Sequence, residues 1–217
     1  MTVCTSDLHA ELLSDVFKYT TTVQFGVAIS VRYNYEMAKF YTQTGDDGFT
    51  GRLGKGRLAK NDPLIEAIGT VDEASAALGF ARAHIKHPES IETILQVQRD
   101  LYHLMAELSA TEETAPQFRV VDELRLAWLE GEIDTISSSV ETPKEFILPG
   151  DTISGAALSL ARTVVRRAER RIAELHLART FENPNILPYL NRLSSLCFIL
   201  ELKENQSSGI TLAKKGG

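Results

Sequence analysis

Ile153 to Leu175 reads ISGAALSLARTVVRRAERRIAEL. Ala157, Leu160, Ala161, Val164, Ala168, Ile172 and Leu175 recur at three- and four-residue intervals, the spacing of one helical face. The spacing predicts a helix from about Ile153 to Arg179. Arg162, Arg166, Arg167, Arg170 and Arg171 fall within ten residues of it. At about 100° per residue, Arg162, Arg166 and Glu169 point roughly opposite the apolar stripe. Arg162, Arg166 and Arg170 stand one turn apart, and like charges so placed destabilise a helix by a few tenths of a kcal/mol per pair. The ladder makes sense where something negative faces it. Two readings stand side by side: a solvated basic face partly neutralised by Glu169, or an anion site whose guanidinium forks grip phosphate oxygens.

Outward from this helix the pattern stays helical. Upstream, PKEFILPGDT (143–152) interrupts it with two prolines and a glycine. Asp62 followed by Pro63 is a cap with a proline in the first turn. Leu64, Ile68, Val71, Ser75 and Leu78 then follow at helical spacing. A second helix is predicted from Pro88, with Ile91, Ile94, Leu95, Leu101, Met105 and Leu108 on one stripe. A third carries Val121, Leu124, Trp128, Ile133 and Ile136; a fifth follows Pro184 with Leu190, Leu193, Cys197 and Leu200. Five amphipathic helices with short connections predict an all-α five-helix bundle. Strands and helices do not alternate, which argues against a Rossmann fold.

The expected domain layout has three parts. Residues 1–37 form an N-terminal extension of unknown role, with a short strand at Thr20–Val31 as one reading. Residues 38–204 form the bundle domain with a Gly-rich loop at its start, and 205–217 a flexible tail rich in Ser, Lys and Gly. Of the 14 glycines, Gly45, Gly48, Gly51, Gly54 and Gly56 crowd into YTQTGDDGFTGRLGKGRLAK (41–60). Such density argues against a helix or an ordinary strand. The loop is either a flexible surface segment or a cradle whose backbone N–H groups, Thr hydroxyls and Lys60 surround a polyphosphate. It is not a Walker motif, and the match of Gly54, Gly56 and Ala59 to a dinucleotide fingerprint lacks the strand–helix–strand context.

The 217 residues carry a net charge of −6 and a pI near 5.4, which argues against a general nucleic-acid footprint. No apolar run approaches the ~18 residues of a membrane span. Cys4 and Cys197 sit at opposite ends, in neither a disulfide framework nor a zinc spacing. The acids Asp7, Glu11, Asp15 and Glu36 speak against a secretory or transit segment. A cytoplasmic setting is the expectation. His84 and His87 are i,i+3 with no third ligand in view and read as surface residues. Asp72 and Glu73 lie among small residues of the first helix, as solvated carboxylates or as partners for an arginine of this or a neighbouring subunit. Asn191 reads as an internal hydrogen-bonding group of the bundle or as a ligand contact. Phe146 reads as a plug for the bundle end or as a functional aromatic. No nucleophile elbow and no Cys–His arrangement stands out.

Taken together, YTQTGDDGFTG (41–51), GKGRLAKNDPLIEAIGTVDEASAALGFARA (54–83), QVQRDLYHL (96–104), FILPGDTISGAALSLARTVVRRAERRIAEL (146–175) and LNRLSSLCF (190–198) resemble the PduO-type ATP:cob(I)alamin adenosyltransferases. The resemblance spans about residues 40–202. It implies a homotrimer of five-helix bundles with a site at each subunit interface. There the 5′-deoxyadenosyl group of ATP passes to the cobalt of cob(I)alamin, giving adenosylcobalamin and triphosphate. Magnesium is expected with the ATP, and a cellular reductase and an adenosylcobalamin-dependent enzyme are the further partners implied. By position, Thr42, Gln43, Thr44, Gly45, Asp46, Gly48, Thr50 and Gly51 would form the ATP loop, with Lys60 on the phosphates. Arg166, Arg167, Glu169, Arg170 and Asn191 would complete the nucleotide site. Asp72 and Arg162 match a salt bridge across the subunit interface. Phe146 matches the aromatic that crowds the lower face of cobalamin, displaces the lower axial ligand and leaves cobalt four-coordinate. Three positions depart from the family's pattern. Asp151 replaces a second glycine after Gly150, Ser195 stands where Asp is usual, and Arg52 stands where a small residue is common. The alternatives are a non-catalytic trimer binding ATP or cobalamin as a sensor or chaperone, and a purely structural bundle.

Overall fold

Asp62 starts the first long helix: its carboxylate accepts the backbone N–H of Leu64 at 2.8 Å, and Pro63 occupies the first turn. In the computed structural model, residues 41–178 and 181–213 are described. They form a short hairpin, β1 (Phe49–Gly51) and β2 (Arg57–Ala59), followed by α1 (Pro63–Arg82), α2 (Pro88–Ser109), α3 (Glu123–Ser137), α4 (Ile153–Leu177) and α5 (Ile186–Asn205). A single 3-10 turn, Ala115–Phe118, precedes α3. The all-α five-helix reading therefore holds, with the two-stranded hairpin as its only sheet among the described residues. The chain divides into two compact units, Met1–Thr42 and Gln43–Gly217. Of the first, only Tyr41 and Thr42 are described; the extension and the strand expected at 20–31 lie outside the described residues. The second unit holds the hairpin and all five helices.

α4 is the central helix. It packs against α1 on one side and α5 on the other, while α2 lies on α1 and α3 on α5. Its buried face is Ala157, Leu158, Ala161, Val165, Ala168, Ile172 and Leu175. Leu160, expected on that face, is 55% exposed, and Leu158 and Val165 take the inward positions. The reason is that a helix gripped from two sides buries a band wider than one stripe, and its centre is set by both neighbours. α3 departs similarly. Leu124 is exposed, Val121 is buried before the helix begins, and Leu129 is the residue driven fully into the core.

The ends of α4 and α5 meet at Gly155. A Cβ added there would lie 2.2 Å from Asn205 Oδ1. Thr152 caps α4 by accepting the N–H of Gly155 at 2.9 Å and donates to Asn205 Oδ1 at 2.7 Å. Glycine suits this position because any Cβ would collide with the Asn205 side-chain amide, which Thr152 holds in place. Across the bundle, the fully buried Asp100 accepts from Tyr189 Oη at 2.7 Å and faces Arg125 at 3.5 Å, so the buried carboxylate is neutralised and hydrogen-bonded.

The chain after α5 does not simply fray. Ile147 and Leu212 form an antiparallel bridge, with Leu148 N donating to Thr211 O at 2.8 Å and Ala213 N to Phe146 O at 2.7 Å. The flexible tail expected over 205–217 is thus paired as far as Ala213. The Leu148 N–H as donor and the Phe146 carbonyl as acceptor are the reason.

Candidate active site

The Gly-rich segment is shaped by one ion pair. Arg57 on β2 makes two hydrogen bonds to Asp47, at 2.7 and 2.8 Å, and also donates to the carbonyls of Thr44 and Phe49. The guanidinium holds the Asp47 carboxyl below its ordinary value. Neither residue stands out in the sequence; the signal available is an Asp and an Arg flanking the glycines. The turn carries Gly48 at φ +84° and Gln43 at φ 61°, both left-handed. Lys60 N donates to Gly48 O at 2.9 Å, and the Lys60 Nζ lies 3.1 Å from where a Cβ at Gly45 would stand. The segment thus gathers Gly45, Gly48 and Lys60 at one place, with Asp46 and Gly51 exposed and Thr50 half-buried on β1. Thr44 bonds Arg57 through its carbonyl, and Thr42 belongs to the other unit. Arg52 has a structural use: its guanidinium donates to the carbonyls of Ala110 at 2.6 Å and Ser109 at 3.4 Å, closing the C-terminal end of α2.

The arginine ladder divides. Arg166 and Arg170 line an open cavity between α4 and α5 with Glu169, Ala173, Leu187, Pro188, Asn191 and Arg192. Glu169 accepts from Asn191 Nδ2 at 2.8 Å and lies 3.9 Å from Arg166. Arg192 donates to Asn191 Oδ1 at 2.9 Å and pairs with Glu130 at 2.9 Å. Three guanidinium groups therefore surround one carboxylate and one amide, which leaves donors free for an anion. Arg192 escapes sequence reading because a single Arg beside Asn191 gives no periodic signal. Arg167, expected with this group, is elsewhere. It pairs with Glu73 on α1, and Arg171 pairs with Glu66 and Glu174. Within one chain the separation has a simple cause: residues 166 and 167 differ by about 100° around the helix and face different neighbours.

Arg162 lines a second cavity, with Phe146, Ile147, Pro149, Phe198, Ser159 and Glu201 among its walls. Its Nε is buried without a hydrogen-bond partner. Glu201 is 1% exposed; burial pushes its carboxyl up, against the pull of Ser159 and Arg162. Phe146 stands at the mouth, 88% exposed. Asp72 is exposed on α1, and among the described residues no ion pair joins it to Arg162. The two cavities are neighbours, since Arg162 and Arg166 are one turn, roughly 6 Å, apart on α4. No residue of the 43–60 loop lines either of them. Within one chain the arginine cavity is thus walled without the phosphate-suited loop.

Residues 40–204 match the cobalamin adenosyltransferase family. The chain belongs to that family. It is 40% identical over 190 residues to a corrinoid adenosyltransferase of Mycobacterium bovis, covering 83% of this chain and 95% of that one. It is 37% identical over 169 residues to the corrinoid adenosyltransferase PduO of Citrobacter freundii, covering 77% of this chain but 50% of the relative, so it spans about half that protein's length. A variant PduO-type ATP:corrinoid adenosyltransferase from Lactobacillus reuteri, solved with cobalamin and ATP, superposes with a TM-score of 0.73 at 33% identity, over 82% of this chain and 100% of that one. The family member described here keeps the five-helix frame of that structure.

The remaining family departures have local explanations. Asp151 does not cap α4, since Thr152 does; it binds Thr211 instead. Ser195 is exposed on α5. Cys197 is fully buried, and its thiol is pushed up to about 12 by desolvation, so it offers no nucleophile.

Proposed function

We propose that this enzyme transfers the 5′-deoxyadenosyl group of ATP to the cobalt of cob(I)alamin, at sites completed between subunits of a homotrimer. The observation that carries the reading is the adjacency of the two cavities on α4: a guanidinium cluster for a triphosphate at Arg166 and Arg170, and, one turn away at Arg162, a cavity whose wall includes Phe146. Cobalt attacks the ribose C5′; the Co–C5′ bond forms, the C5′–O bond breaks, and triphosphate leaves with the electron pair. Charge grows on the leaving oxygen, so cations fixed beforehand around it lower the barrier. Arg166 and Arg170 supply that charge, with Arg192 beside them. Glu169 and Asn191 hold the cluster in register and contact the nucleotide. In-line alignment of C5′ and cobalt is the other requirement, and the one-turn spacing serves it. Arg167, tied to Glu73, supports the helix pair from outside this cavity.

The loop Thr42–Gly51 and Lys60 grip the phosphates from a neighbouring subunit. Asp72 of one subunit meets Arg162 of the next, which gives the orphaned Arg162 Nε an acceptor. Phe146 crowds the lower face of the corrinoid, an apolar ring offering cobalt no ligand atom. Magnesium, when bound, neutralises phosphate charge. The ion would be carried mainly by the phosphate oxygens of ATP and by water. The domain layout proposed is an extension at 1–37, the catalytic domain at 38–204 and a tail at 205–217. A cytoplasmic setting, a reductase and an adenosylcobalamin-dependent acceptor enzyme complete the reading.

The test is an anaerobic assay with ATP and chemically reduced cob(I)alamin, followed by the visible spectrum. A light-sensitive cobalt–carbon product that requires both ATP and protein is expected. ATP binding without product overturns catalysis in favour of a sensor or chaperone, and no ATP binding leaves only a structural bundle.

A further inference from the structure

Phe146 has an unusual problem. Its ring is 88% exposed, so packing does not hold it in this chain, and a ring meant to press on a corrinoid has to be held through its backbone. The structure shows what holds it. Phe146 O accepts from Ala213 N at 2.7 Å, and Leu148 N donates to Thr211 O at 2.8 Å. Thr211 is in turn fixed from its other side. Its N–H and its hydroxyl both donate to the carboxylate of Asp151, at 2.9 and 2.6 Å. Asp151 follows Gly150, whose φ of +133° turns the chain between the 146–148 segment and α4. Thus one carboxylate at the foot of α4 clips the segment 211–213 to the segment 146–148. Both hydrogen bonds favour the ionised form and hold the Asp151 carboxyl below its ordinary value.

We infer that Asp151 is a positioning residue: through Thr211 it pins the segment 211–213 across residues 146–148 and so sets the Phe146 ring against the corrinoid. The inference rests on the proposed function, and goes beyond it by giving a task to the segment 211–213 and to an acid at a position where the family resemblance expects glycine. A glycine there would leave Thr211 without its acceptor, and the segment carrying Phe146 would sample more positions.

The experiment uses the full chain and the variants Asp151→Ala, Thr211→Val and the two combined, loaded with cob(II)alamin and magnesium–ATP. Electron paramagnetic resonance reads the fraction of four-coordinate cob(II)alamin, the state Phe146 is expected to enforce. That fraction is expected to drop about fivefold in Asp151→Ala, the size of a lost charge-assisted clip. Thr211→Val, which keeps its N–H bond to Asp151, moves the same way by less, and the double variant is no worse than Asp151→Ala. The dissociation constant for ATP stays within about twofold, because neither Asp151 nor Thr211 lines the arginine cavity. An unchanged four-coordinate fraction in either single variant, additive effects, or an ATP affinity that falls in step with it overturns the inference. Thr211→Val keeps the test decisive should Asp151→Ala fail to fold. A wild-type protein that binds no ATP or makes no product overturns the proposed function itself and this inference with it; a working wild type beside indifferent variants overturns only the clip.

Discussion

Glu169 is an acid in a cavity proposed for a triphosphate, and its neighbours explain it. It accepts from Asn191 and stands beside Arg166, so its charge holds two donors in place while Arg170 and Arg192 remain to face an anion. Arg166→Ala is expected to lower kcat by about 10²–10³, the cost of removing one preorganised cation from the leaving group. Its half-exposed side chain means the melting temperature stays nearly unchanged; steady-state kinetics with thermal denaturation checks both. Cys197 gives a pH prediction. Its folded-state value, about 12, lies above the ordinary 9.0, so its contribution to stability is complete below pH 9 and fades as pH rises toward 12. In a Cys4→Ser background, the remaining thiol is expected to resist a thiol reagent at pH 8 until the protein is unfolded. Fast labelling of native protein contradicts this.

At the scale of elements, two joints carry the site. The first is the meeting of α4 and α5 at Gly155. Gly155→Ala forces Cβ against Asn205 and is expected to cost about 1–3 kcal/mol, read as a lowered urea midpoint. The second is the pin between the hairpin and α2. Arg52→Ala removes the donors to Ala110 and Ser109 and is expected to cost roughly 1–2 kcal/mol of local order. Because this pin holds β1–β2 and not the arginine cavity, KM for ATP is expected to rise more than kcat falls. A kcat loss with unchanged KM assigns the hairpin a different task.

At the scale of the whole molecule, the separation of the 43–60 loop from the arginine cavity predicts that no single chain is a complete enzyme. Lys60→Ala and Arg166→Ala, each inactive alone, are expected to recover about a quarter of wild-type activity when co-expressed in equal amounts, since mixed assemblies contain some sites with both residues intact. Absence of recovery in demonstrably mixed oligomers places loop and arginines in the same subunit.

The five helices, the central place of the Ile153–Leu177 segment and its cation density were all legible in the sequence, because helical period, proline starts and charge clusters are local properties. The glycine-rich loop was legible as a phosphate candidate for the same reason, and family membership followed from the order of these motifs. The assignment of each arginine was not. Arg166 and Arg167 are adjacent in sequence, yet one faces α5 and the other pairs with Glu73 on α1. That choice depends on where two neighbouring helices sit. Leu158 replaced Leu160 in the core on the same grounds. Asp151 has the local signature of a helix cap, but Thr211, 60 residues later, supplies two donors to it. Helical period, caps and charge clusters set which elements form; which side chains meet rests on tertiary packing, because those contacts join residues that no local period relates.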